Sequence, residues 1–158
     1  TARELGYESF VSMDGDGQHL ASQIKKLIAA QAHKDVLVVG ARDFNRENIP
    51  FKSKAGRAFH NFWIYLNSGY KITDSLTGFR LYPVTITQID FTTQRFDFEV
   101  EVLVKHYWKT AAIVDTVVEC YYPKPEERVS HFDNYGDTKA LLKLHLQLLA
   151  QKLFSKKR

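Results

Sequence analysis

Asp14 and Asp16 stand one glycine apart in the run Met13-Asp14-Gly15-Asp16-Gly17-Gln18-His19, directly after the apolar stretch Phe10-Val11-Ser12. Two carboxylates on a glycine-loosened turn leaving a strand can point at one hard cation. Oxygen ligands suit Mg²⁺ or Mn²⁺, ions that bridge protein carboxylates to substrate phosphates. Gln18 adds a carbonyl oxygen and His19 an imidazole close to the metal or its phosphates. The same D-G-D-G string occurs in plain turns and calcium loops. An EF-hand is excluded, because Lys25 rather than Glu stands twelfth from Asp14.

Three further clusters could do chemistry. In Thr73-Asp74-Ser75-Leu76-Thr77-Gly78-Phe79-Arg80, hydroxyls and the backbone around Gly78 can meet phosphate oxygens. Arg80 there can pair with a phosphate or with Asp74; the alternative is a capped turn with a local salt bridge. In Arg95-Phe96-Asp97-Phe98-Glu99-Val100-Glu101, helical spacing puts Asp97 and Glu101 on one face and Glu99 on another. Asp97 and Glu101 could orient a sugar hydroxyl or act as a base, or could be ordinary dipole partners of a first helical turn. Arg128, Ser130 and His131, in the run Glu127 to Phe132, form a candidate anion clamp on a loop.

The elements that must position these groups follow from periodicity. Residues 8–13 read as a strand, residues 20–32 as a helix with Ile24, Leu27 and Ile28 in phase, and residues 36–40 as a strand buried on both faces. Strand, helix, strand predicts a right-handed βαβ unit and a parallel sheet. Residues 42–52 read as a polar loop. Residues 53–67 form an amphipathic helix with Ala55, Phe59, Phe62, Trp63 and Leu66 on its apolar face, ended by Gly69. A brief strand at 79–82, a helix at 97–108, a β-rich run at 112–122, a charged loop at 123–137 and a Leu-rich helix at 138–154 complete the chain.

The chain has 158 residues, 44% hydrophobic and 13% aromatic, enough for one well-packed domain. Its only cysteine, Cys120, excludes a disulfide scaffold and fits a reducing compartment. No run of residues is long and apolar enough to span a bilayer. The net charge of +4 is weighted towards Lys152, Lys156, Lys157 and Arg158. Such a tail fits either an anionic surface or the negative pole of a helix. The start, Thr1 to Tyr7, resembles the end of a helix closed by Gly6, which predicts a piece of a longer protein.

The order D-G-D-G-Q-H, G-A-R, D-S-L-T-G-F-R, F-D-F-E-V-E and R-V-S-H-F resembles the family 2 glycosyltransferases, in particular the polyprenol- or dolichol-phosphate sugar synthases. The resemblance runs from about residue 2 to about residue 140. It implies an α/β fold: the C-terminal portion of a GT-A domain, Rossmann-like, with a mixed sheet flanked by helices. On this view residues 1–158 are a single domain fragment, the metal and acceptor half, inactive without the nucleotide-binding half. The resemblance further implies an inverting, metal-dependent transfer from a nucleotide-sugar to a lipid-linked phosphate or saccharide acceptor in cell-envelope or polysaccharide synthesis. It places the protein in the cytoplasm at or near the membrane surface and implies no nucleic acid partner.

Carried over by motif, Asp14 and Asp16 match the metal-binding D-x-D pair, and Gln18 a glutamine that completes metal binding. Arg42 matches the arginine of G-S-R, a candidate for acceptor or diphosphate contact, and Arg57 the arginine that opens the next helix, a further substrate-binding candidate. Thr77 and Arg80 keep the hydroxyl and guanidinium of S-G-F-R, and Glu101 matches the glutamate of an F-Q-x-E-type motif. Arg128 and Ser130 fall on an R-x-x-G-x-S-K loop that is shorter here, with His131 replacing lysine. A phosphate acceptor needs no base; a hydroxyl acceptor needs one, and Asp74, Asp97 and Glu101 are the candidates. The rivals are a metal-dependent phosphoryl-transfer enzyme, which needs a second carboxylate cluster, and a non-catalytic module binding anionic lipid or nucleic acid.

Overall fold

The computed structural model describes residues 1–43, 51–121 and 136–155. In chain order the elements are β1 (Ser9–Ser12), α1 (Ile24–Ala30), β2 (Leu37–Arg42), α2 (Phe51–Ser68), β3 (Arg80–Pro83), α3 (Phe96–Thr110), β4 (Ile113–Val118) and α4 (Gly136–Ser155). A 3₁₀ turn at Ala21–Gln23 takes up the first part of the expected helix, so α1 proper is only seven residues long.

The sheet is mixed, in the order β1-β3-β2-β4. β1 and β2 run the same way, as the strand-helix-strand pattern requires, but they do not pair. β3 lies between them, antiparallel to both, with Arg80 opposite Ser12 on one side and Val39 on the other. Only β2 and β4 form a parallel pair, from Leu37 opposite Ile113 to Arg42 opposite Val118. The parallel sheet expected from the strand-helix-strand pattern is therefore corrected to a mixed one, the mixed sheet flanked by helices that the resemblance implies. A hydrophobic pattern reports burial, not which strand lies alongside.

The pleat of β2 sorts its side chains into two cores. Leu37 and Val39 join Ile64, Val102, Leu103, Leu141 and Leu148 beneath α2, α3 and α4. Val38 joins Leu27, Phe79, Leu81 and Val118 on the α1 side. A Cβ on Gly40 would lie 2.8 Å from the Phe79 ring and 2.9 Å from its carbonyl, so only glycine lets the strand approach this closely.

α2 reverses the expected orientation. Phe59, Phe62 and Leu66 face outward, Phe62 being 59% exposed, while His60, Ile64 and Asn67 are buried. The polar inward residues have partners there. His60 Nδ1 lies 3.2 Å from His145 Nε2 on α4, and Asn67 Nδ2 donates to the Trp63 carbonyl. Gly69, at φ 89°, ends the helix as the sequence predicts.

Candidate functional site

The chemistry-bearing residues gather where β1 and β2 end and β3 begins, the edge of an α/β sheet where ligands bind. Ser12 Oγ donates to the Gly78 carbonyl at 2.6 Å, drawing the turn after β1 onto the loop before β3. A Cβ on Gly78 would overlap the Asp14 carboxylate. That carboxylate is exposed and has no hydrogen-bond or ion-pair partner among the described residues. With Leu76, Gly78, Arg95, Phe96 and Glu99 it lines a cleft of about 300 Å³.

Asp16, two residues along the turn, is exposed and does not line the cleft, and its Oδ1 accepts the Gln18 N–H at 3.0 Å. Gln18 is anchored through its carbonyl, which accepts the Tyr121 N–H at 2.8 Å. His19 is buried and stacks on Phe79 with ring centroids 5.0 Å apart. Burial lowers its pKa, although Asp14 pulls it upward.

Several expected ligand-binding groups are structural. Arg42 clamps Asp74 bidentately, Nε to Oδ2 at 2.7 Å and Nη2 to Oδ1 at 3.0 Å, and its backbone N–H adds a third bond. Asp74 is fully buried with both oxygens engaged. It is neither the partner of Arg80 nor placed to act as a base. Arg80 is itself fully buried, donating to the carbonyls of Thr77, Ser75 and Glu99 and lying 2.8 Å from the Glu99 carboxylate. It ties the loop before β3 to α3 and does not open to a phosphate. Thr77 is buried too, and its hydroxyl accepts the Phe79 N–H. Arg57 and Asn61 of α2 both donate to the Thr73 carbonyl, and Asn61 accepts the Ser75 N–H. They hold the same loop from its other side.

Glu101 does not face the cleft. It is 1% exposed and accepts the N–H and hydroxyl groups of Thr92 and Thr93, with Lys105 Nζ at 2.6 Å. Burial alone would raise its carboxyl, but Lys105, Thr93 and Thr92 outweigh that and lower it to about 2. Asp97 accepts the Arg95 N–H at the start of α3 and does not line the cleft. Arg128, Ser130 and His131 lie outside the described residues.

Glu99 and Arg95 are the wall residues that the expected ligand set omits. Glu99 is the α3 carboxylate that reaches the cleft, and Arg95, largely exposed, lies 3.7 Å from Asp137 at the start of α4. The alternation Asp97, Glu99, Glu101 contains no sign of which acid turns inward. The nearest signal is Phe96, three residues before Glu99 and on the same helical face.

Among the described residues no three His, Cys, Asp or Glu side chains converge as a metal site. The donor set fits a hard cation all the same: Asp14 is free and aimed into the cleft, and Asp16 retains an oxygen. Such an ion commonly completes its shell with phosphate and water oxygens.

A stretch of this chain is similar to part of a dolichyl-phosphate sugar transferase. Over 92 residues it is 36% identical to the UDP-N-acetylglucosamine–dolichyl-phosphate N-acetylglucosaminyltransferase of Methanococcus voltae, covering 56% of this chain and 37% of that protein. It is also 29% identical over 76 residues to an uncharacterized protein of Methanocaldococcus jannaschii, covering 46% of this chain and 31% of that one. The chain thus spans roughly a third of the length of the curated relatives it matches. No family model matches. Among the described residues no helix is long and apolar enough to cross a membrane.

Proposed function

We propose that this chain forms part of a glycosyltransferase of the family 2 type, moving a sugar from a nucleotide-sugar to a lipid-linked phosphate acceptor at a cytoplasmic membrane face. The observation that carries the reading is the free Asp14 carboxylate facing Glu99 and Arg95 across a cleft at the strand ends. The similarity to part of a dolichyl-phosphate transferase supports it.

Mg²⁺ or Mn²⁺ held by Asp14 and Asp16, with Gln18 at hand, would neutralise charge developing on the departing diphosphate. The acceptor phosphate oxygen attacks the anomeric carbon as the carbon–oxygen bond to the diphosphate breaks. The bonding pair leaves with the diphosphate, and the anomeric configuration inverts. The acceptor is already anionic, so no proton has to be removed. Glu99, held by Arg80 through one oxygen, would accept a sugar hydroxyl on the other, Phe96 offers an apolar face to the ring, and the Arg95 guanidinium meets the acceptor phosphate at the mouth. Arg42, Asp74, Arg80 and Glu101 position this wall.

The test uses the full-length protein with UDP-N-acetylglucosamine and a polyprenyl phosphate. Asp14→Asn should reduce transfer at least about a hundredfold while leaving the melting temperature within a degree or so of the parent. Undiminished transfer would remove Asp14 from the site.

A further inference from the structure

The far end of α3 carries a second basin, away from the cleft. Gln88 and Asp90, on the stretch between β3 and α3, form one rim; Lys105, Trp108 and Lys109 of α3 form the floor, and Gln151 of α4 closes the other side. The space between them is about 410 Å³, in the range of small-molecule sites. Phe96, on the first turn of α3, lines the cleft, whereas Trp108 stands on the last turn, about 18 Å along the axis at the helical rise. A ligand in the basin is therefore out of reach of Asp14 and Glu99. Trp108 is 36% exposed, and its indole N–H donates to the Asn67 carbonyl at 3.0 Å. That bond fixes the plane of the ring before any ligand arrives.

Charge decides what the basin can hold. Lys105 Nζ lies 2.6 Å from the Glu101 carboxylate and donates to the Asp90 carbonyl at 2.7 Å. Lys109 Nζ reaches the Gln88 carbonyl at 3.4 Å. Lys105 is thus neutralised by Glu101, and the Asp90 carboxylate balances Lys109, so no surplus of positive charge is left to hold a phosphate. The two lysines grip the rim by its backbone. The Gln88 and Asp90 side chains are left exposed, without partners among the described residues. Gln88 offers two N–H donors and a carbonyl, and Asp90 offers two acceptor oxygens. Adjacent hydroxyls need such a mixture, since each both donates and accepts. A fixed indole beside these groups suits a pyranose ring, whose C–H face is apolar and whose edge is polar.

We propose that this basin binds a neutral saccharide, one pyranose ring lying on Trp108 with its hydroxyls on Gln88 and Asp90. The site goes beyond the proposed function, because it lies away from the cleft and takes no part in bond breaking. Water competes for every hydroxyl, so a single sugar binds with a dissociation constant on the order of millimolar. No charge is exchanged on binding, so added salt should change the affinity little.

The test titrates the full-length protein, labelled with ¹⁵N-tryptophan, with glucose, galactose, mannose and N-acetylglucosamine in turn, and separately with inorganic phosphate. The Trp108 indole N–H signal, assigned by its loss in Trp108→Phe, should move with at least one sugar to a saturating shift. Phosphate should leave it in place. Asp90→Ala and Gln88→Ala should each weaken the sugar about fivefold, the worth of one hydrogen bond. Neither side chain bonds to the fold, so both variants should melt with the parent and keep the indole signal readable. An indole signal that no sugar moves overturns the proposal. So does parental sugar affinity in both Asp90→Ala and Gln88→Ala. A signal moved by phosphate and by none of the sugars makes the basin an anion site and overturns it as well.

Discussion

At the scale of single residues, the site depends on close approach more than on the number of charged groups. Gly78 is the clearest case: its missing side chain leaves the space in which the Asp14 carboxylate sits. Gly78→Ala therefore pushes that carboxylate aside without removing any ligand. Transfer should fall on the order of a hundredfold, the usual cost of a small misplacement at a reacting centre. Steady-state kinetics with the full-length protein, with added Mn²⁺ titrated against each form, checks this. A variant with parental rates and parental metal dependence would show that the carboxylate has room to spare. The Arg42 and Asp74 pair teaches the converse. Both have the residue types of an active site, yet their mutual bidentate bond consumes what they would offer a ligand.

At the scale of elements, periodicity made most strands and helices legible, and capping signals such as Gly69 fixed an end. Three things were hidden. The insertion of β3 between β1 and β2 depends on tertiary pairing that no local pattern encodes. The outward turn of α2 depends on His60 and Asn67 finding partners on α4 and in the helix itself. The choice among the three acids of α3 depends on small rotations: Glu99 reaches the cleft, whereas Glu101 turns to the loop that precedes the helix. The placing of Asp14 and Asp16 on a turn directly after β1 was legible because such a turn is a local feature. Glu101 is a positioning residue for α3, since with Lys105, which also donates to the Asp90 carbonyl, it fixes residues 90–93 ahead of Arg95 and Phe96. Glu101→Gln should lower stability by about 2 kcal/mol in urea denaturation, as charge-assisted bonds are lost. The folded carboxyl is depressed from 4.5 to about 2, so this stabilisation is complete above pH 4.5 and is lost as pH falls towards 2. A variant as stable as the parent at pH 7 would show that the loop holds itself.

At the scale of the whole molecule, the helical layer hides imidazoles that water would protonate. His60 of α2, His106 of α3 and His145 of α4 are all buried, and burial lowers each below the ordinary 6.5, His145 to about 3 with His60 adding to the effect. The unfolded chain takes up protons at these residues near pH 6.5 while the folded chain refuses them. Their contribution is therefore complete above pH 6.5 and is lost as pH falls, by up to about 1.4 kcal/mol per pH unit for each imidazole. Asp115, whose carboxyl is raised by burial, binds a proton more readily when folded and offsets part of that loss. The melting temperature should decline from pH 7 to pH 5, a range above the Glu101 window. His60→Phe combined with His145→Leu removes one adjoining pair and should make the decline shallower, whatever it does to stability at pH 7.5. An equally steep profile in that variant would assign the acid sensitivity to groups outside the contact between α2 and α4.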